Sequence, residues 1–150
     1  MMPNNENTNA FLIHLSAFTG YFFPLGNIIA PLILWQLFKS DTLFLNNHGK
    51  EAVNFNLSYT LYLFITSTVF FLFLSLFFFG NVIIDIYNKP SFDFDTNHTY
   101  FSIFSIIGLF ISGFLMLTLF ISSIALIIIA SIKANKGEEY QYPFSIKFIK

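Results

Sequence analysis

Cysteine is absent from the 150 residues of this chain. Disulfides, thiolate zinc sites and a cysteine nucleophile are therefore excluded. Arginine is missing too, and seven lysines face eight acidic residues. A net charge of −1 offers no basic surface for nucleic acid. Charge of either sign is scarce: 10% of residues are charged, 55% are hydrophobic and 21% are aromatic. A soluble domain of this length carries about a quarter charged residues, so the deficit excludes an ordinary water-facing surface and points to lipid as the solvent. No cleavable leader is expected, because "MMPNNENTNA" lacks lysine and the apolar stretch after it is too long.

Long apolar runs are what the sequence does have. About 20 consecutive apolar residues cross a bilayer core of about 30 Å. Residues 11–38, 52–80 and 100–133 each reach that length. The expected fold is an all-α integral membrane protein: one domain over residues 1–150, a small bundle of three transmembrane helices, and a tail, 134–150, at the membrane surface. The first span is irregular. Pro24 and Pro31 each remove a helical hydrogen bond and crowd a preceding carbonyl, so a kink is expected at both. A re-entrant hairpin turning at Pro24–Asn27 is the alternative, since each half is too short to span.

Lysines set the expected orientation. With three spans, the side holding the N-terminus and the second loop has Lys89 alone. The other side has Lys39, Lys50, Lys133, Lys136, Lys147 and Lys150. Lysine-rich flanks are cytoplasmic, which puts the C-terminus in the cytoplasm of a multi-pass inner or plasma membrane protein and the N-terminus outside. The re-entrant form instead puts the N-terminus in the cytoplasm.

No catalytic constellation is visible. His14, His48 and His98 are scattered, and neither a phosphate-cradling glycine loop nor a zinc-protease helix motif occurs. Asp93, Asp95 and His98 lie together in "DFDTNH", where a solvated loop outweighs a site for a hard cation. No enzyme, cofactor or metal is expected.

The stretch "HGKEAVNFN" carries more information. At 100° per residue, Asn47, Glu51, Asn54 and Ser58 share a narrow arc, with Asn56 and Thr60 nearly opposite. Polar groups inside a span face the bundle. One reading has Asn54 and Ser58 meeting carbonyls freed at Pro24 or Pro31, helped by Asn27. The other makes His48, Lys50, Glu51 and Asn54 a polar vestibule for an ion, a lipid headgroup or a peptide. On the last span, Ser105, Gly108, Ser112, Ser123 and Ala130 form a stripe of small residues. It suits packing within the chain, or self-association through Ser105, Gly108 and Ser112. Gly137 suits the left-handed position that closes a helix, with Lys133 and Lys136 at its carbonyl end. In "EEYQYPFSIKFIK", Tyr140 and Tyr142 suit the headgroup zone. This tail either lies on the membrane or folds onto the first loop, with Glu138 or Glu139 near Lys50 or Lys39.

Three ordered stretches, "HLSAFTGYFFPLGNIIAPLILWQLFK", "HGKEAVNFNLSY" and "SIKANKGEEYQYPFSIKFI", resemble a bacterial integral-membrane family. It is domain-of-unknown-function family 4870, which is similar to the chloroplast import component Tic-twenty. The resemblance implies two cytoplasmic signatures. One falls on His48, Gly49, Lys50, Glu51, Ala52, Asn54 and Phe55. The other falls on Lys133, Ala134, Asn135, Lys136, Gly137, Glu138, Tyr140, Tyr142 and Pro143. The chain is thus expected to be a non-enzymatic membrane scaffold or accessory subunit that aids protein transport or insertion, its partners being the bilayer and other membrane proteins. The alternative is an oligomeric channel or carrier with its vestibule at Glu51 and Asn54.

Overall fold

The computed structural model describes residues 3–38, 42–80, 82–83, 86 and 96–150, with the backbone alone for 3–5 and 96–99. Among the described residues there is no strand. The long α-helices among the described residues are α1 (Pro3–Leu15), α2 (Gly26–Phe38), α3 (Leu43–Ser75) and α4 (Thr96–Asn135). A 3-10 helix, Ser16–Tyr21, follows α1, and a π-helical turn, Leu76–Gly80, extends α3. Asp93 and Asp95 lie outside the described residues, as do Lys39 and Lys89, and His98 is described by its backbone alone.

Two helical stretches, Leu43–Gly80 and Tyr100–Asn135, are long and apolar enough to cross a bilayer. Their boundaries differ from the expected spans because the helices do not stop where the apolar runs stop. The polar stretch from Leu43 to Glu51 continues α3 backwards, so the second span begins within a helix rather than at its start. The 33 residues of α3 measure about 50 Å, well beyond one bilayer core.

The chain forms two compact units, Met1–Leu61 with Ile121–Lys150, and Tyr62–Phe120. In the first, the expected kinked helix over residues 11–38 is replaced by a break. The 3-10 helix ends at Tyr21 and α2 starts only at Gly26. Leu25 takes a positive φ of 60°, a conformation that bulky residues seldom adopt. The reversal is held locally: the N–H groups of Phe22 and Phe23 both donate to the Thr19 carbonyl, at 3.0 and 3.1 Å. A Cβ on Gly26 would lie 2.6 Å from that same carbonyl oxygen, so only glycine lets α2 begin this close to the 3-10 helix. Pro31, by contrast, sits buried inside α2, which continues through it to Phe38.

The core of this unit gathers Ala10 and Ile13 of α1, Trp35 of α2, Leu45, Ala52 and Val53 of α3, and Ala134 of α4. A second cluster joins Ala17, Phe55, Ile127, Ala130 and Tyr142. Trp35 lies directly over Gly49: a Cβ there would meet the indole at 2.1 Å. That contact brings α2 and α3 together at backbone distance, as small residues do between helices in lipid.

In the second unit, Phe73 of α3 covers Gly108 of α4 and stacks edge-on against Phe104 at 5.6 Å. Ser105, Gly108 and Ser112 are buried here. Self-association through these three residues is therefore not supported, because the chain itself covers them. Hydroxyls within the long helices bond to their own carbonyls, among them Thr66 to Tyr62, Thr68 to Phe64 and Ser112 to Gly108. In lipid no water can serve these groups, so internal satisfaction is required. Phe64, Phe71, Phe110 and Phe114 point outward, as side chains solvated by acyl chains do.

Gly49→Leu should destabilise the first unit by about 1–3 kcal/mol or prevent its folding, as overpacking does. Thermal unfolding in detergent, compared with Gly113→Leu, measures this. A Cβ at Gly113 meets only Phe70, at an ordinary 3.8 Å.

Candidate functional site

The polar arc of α3 has a partner, and it is the tail. α4 ends at Asn135, and Gly137 at φ 78° reverses the chain. The N–H of Glu138 bonds back to the Lys133 carbonyl at 3.0 Å, which closes the helix. From there the tail runs in extended and turn conformations along the first turns of α3.

Each arc residue grips it. Asn47 Nδ2 donates to a Glu139 carboxylate oxygen at 3.2 Å. Glu51 accepts the Tyr142 N–H at 3.3 Å and pairs with the Lys147 ammonium. Ser58 Oγ accepts the Ile146 N–H at 2.8 Å. Asn54 reads both sides of Ile149: its Oδ1 accepts the N–H at 2.8 Å and its Nδ2 donates to the carbonyl at 2.9 Å. Three of these four residues bind main-chain atoms. An extended segment without a sheet must place its N–H and C=O groups somewhere, and α3 supplies the places.

The tail is pinned at one side chain. Tyr142, 4% exposed, stacks on Phe55 with ring centroids 4.0 Å apart. Its hydroxyl lies 2.9 Å from His14 Nδ1, and His14 Nε2 lies 2.8 Å from His48 Nδ1. Both histidines are buried, at 0% and 1% exposure. Burial pushes the Tyr142 hydroxyl well above the usual phenol range, and the neighbouring Tyr140 and Glu51 push it further. The phenol therefore keeps its proton, and as a neutral hydroxyl it can donate or accept. The Glu138 carbonyl beside His48 favours an N–H on His48 Nε2; His14 Nε2–H then donates to His48 Nδ1, and the Tyr142 hydroxyl donates to His14 Nδ1. His48 Nε2 itself is buried without a hydrogen-bond partner. One chain of three rings thus ties α1, α3 and the tail together.

The expected positions fare unevenly. Asn54 and Ser58 do not meet carbonyls freed by Pro24 or Pro31, because the tail occupies their face. Asn27 does cross to α3, donating to Thr60 Oγ1 at 2.9 Å. Asn56 turns back to its own helix, bonding to the Ala52 carbonyl at 2.8 Å. The tail packs against α3. Glu138 faces Lys133 at 3.9 Å and Glu139 meets Asn47, so neither pairs with Lys50. Lys133 also sits 5.6 Å from the Tyr140 ring centroid. His14 was not legible as a site residue. The one available signal was that a histidine in an apolar run needs a buried partner.

Beside these contacts lies an open polar cleft of about 350 Å³, bordered by Asn47, Lys50, Glu51, Asn54, Gln141 and Lys147. No group of three or more His, Asp or Glu residues is placed to hold a metal ion among the described residues.

Asn54→Leu should free the end of the tail, leaving the Ile149 amide unpaired at a cost of about 1–3 kcal/mol. Limited trypsin digestion at Lys147 should then run faster than in wild type. Asn56→Leu, where the hydrogen bond lost runs within α3 itself, should leave that cleavage rate unchanged.

Neither curated proteins nor solved structures yield a match to this chain. One family profile does match, that of MamF/MmsF, described as the magnetosome magnetite crystal formation protein family, over residues 5–149. The match takes in both signatures, the first segment and the tail. It overturns the assignment to domain-of-unknown-function family 4870 and its Tic-twenty relatives, and the protein-import reading loses its basis with it. The chain is an integral-membrane member of the magnetosome magnetite crystal formation protein family.

Proposed function

We propose that this chain is a non-enzymatic protein of the magnetosome membrane that contributes to magnetite crystal formation as a scaffold or accessory subunit. The observation that carries the reading is the family match over residues 5–149. The site's chemistry supports a scaffold. Glu51, Asn54, Ser58, His14 and Tyr142 are all engaged in bonds to the chain's own backbone or rings, which leaves no nucleophile–base pair aimed at a substrate. The open cleft at Lys50 and Glu51 favours a second reading, a carrier with a cytoplasmic vestibule. Unchanged ion flux in proteoliposomes bearing Glu51→Gln would remove it.

In this reading two helices cross the bilayer and the first segment is re-entrant. The support is that α1 and the tail meet: His14 bonds to Tyr142, and the Asn7 side chain lies beside Gly137. Both ends of the chain then share the lysine-rich, cytoplasmic side. The reversal at Tyr21–Leu25 carries exposed Phe22 and Phe23 and satisfies its own N–H groups, as non-helical backbone within a membrane must.

Deleting the gene in a magnetosome-forming cell should alter magnetite crystal size or shape in electron micrographs, and the wild-type gene should restore both. Crystals unchanged in size, shape and number would overturn the functional reading. Because the chain has no cysteine, Thr8→Cys and Gln141→Cys report topology cleanly. Both should react with an impermeant maleimide from the cytoplasmic side. Labelling of Thr8→Cys from the opposite side alone would restore a fully spanning first segment.

A further inference from the structure

The three-ring chain has a property that the scaffold reading does not use. In the buried arrangement every basic nitrogen lone pair is already an acceptor. His14 Nδ1 accepts from Tyr142, and His48 Nδ1 accepts from His14. An added proton has to displace or turn one of those donors. On His48 Nδ1 it would set two N–H groups against each other. On His14 Nδ1 it would turn the Tyr142 hydroxyl from donor to acceptor. In either case a charge is buried where both rings are at most 1% exposed. Released from one another, the same rings meet water and accept protons freely.

We propose that the C-terminal tail is an acid-released strap, held on α3 while the His14–His48–Tyr142 chain is neutral and let go when the histidine pair takes up a proton. The sign follows from linkage. The released state binds more protons than the latched state, so the latch strengthens as pH rises and weakens as pH falls. The window opens near the ordinary imidazole value, about pH 6.5, because that is where the released rings begin to charge. Letting go uncovers Glu51, Asn54 and Ser58 together.

The surroundings set how sharply this acts. Burial opposes a charge on His48, while the Glu139 carboxylate, the Glu138 carbonyl and Glu51 favour one. From the tail, Tyr140 stands against Tyr142, with ring centroids 5.2 Å apart. α2 offers no titratable side chain, and α4 contributes Lys133, at Tyr140. Burial makes the latched pair refuse a proton, and the carboxylates offset part of that refusal, which narrows the difference in proton uptake on which the switch runs. The inference goes beyond the proposed function, and its test needs no mineral.

The full-length protein in detergent carries Ser145→Cys as reporter, since the Ser145 hydroxyl is buried, and Phe144→Cys as the exposed reference at 88% exposure. The ratio of their maleimide labelling rates cancels the thiol's own pH dependence. This ratio should rise as pH falls below about 6.5, by up to about tenfold per pH unit for one governing proton. In a His48→Gln background it should lose its pH dependence, whereas His98→Gln should leave the profile unaltered. Helical circular dichroism constant across the range separates strap release from unfolding. Should His48→Gln fail to fold, Tyr142→Phe provides the second arm: it keeps the ring but loses the hydroxyl, and should raise the ratio already at pH 7.5. A ratio flat from pH 7.5 to 5.5, or a pH response that survives loss of His48, overturns the proposal.

Discussion

Tyr142 is the residue on which the first unit depends. Its ring is stacked on Phe55 of α3 and its hydroxyl is held by His14 of α1, so one side chain from the tail joins elements far apart in sequence. Stacking and burial supply the affinity, and the hydrogen bond supplies the direction. Once the ring is seated, the neighbouring main chain falls within reach of Glu51, Asn54 and Ser58. Asn54 and Ser58 could not choose a segment by themselves, because they bind main-chain groups that every residue carries.

The rest of the chain obeys a solvent with no hydrogen bonds to offer. Threonines and serines of α3 and α4 fold their hydroxyls onto their own helices. The reversal between the 3-10 helix and α2 uses a single threonine carbonyl for two amides. Asn47 and Asn54 of α3 donate to acceptors in the tail. Among the described residues Trp35 Nε1, His48 Nε2, Asn56 Oδ1 and Ser145 Oγ stand as buried side-chain atoms without a hydrogen-bond partner, a modest cost beside the many satisfied ones.

Sequence legibility followed the physics of range. The arc of Asn47, Glu51, Asn54 and Ser58 could be read at 100° per residue, because a helix fixes the angle between its own side chains. What the arc faces could not, since it binds backbone and backbone has no signature. His14, His48 and Tyr142 are separated by 34 and 128 positions, and nothing in their flanks announces the meeting. The disturbance at Pro24 was visible, but the full reversal rests on the left-handed conformation of Leu25, which leucine does not advertise. The family assignment went astray for a related reason: short signatures were matched, whereas the family is defined over residues 5–149.

The grip of Asn54 on both main-chain groups of Ile149 has a consequence for how this protein can vary over time. Apart from Lys147, whose ammonium pairs with Glu51, side chains between the Tyr142 anchor and Ile149 can drift, since the hydrogen bonds at Ile146 and Ile149 use main-chain groups. The count of residues between the two points cannot. Losing or gaining one there would carry the wrong amide past Asn54 and Ser58, so the tail tolerates respelling far better than it tolerates a change of length.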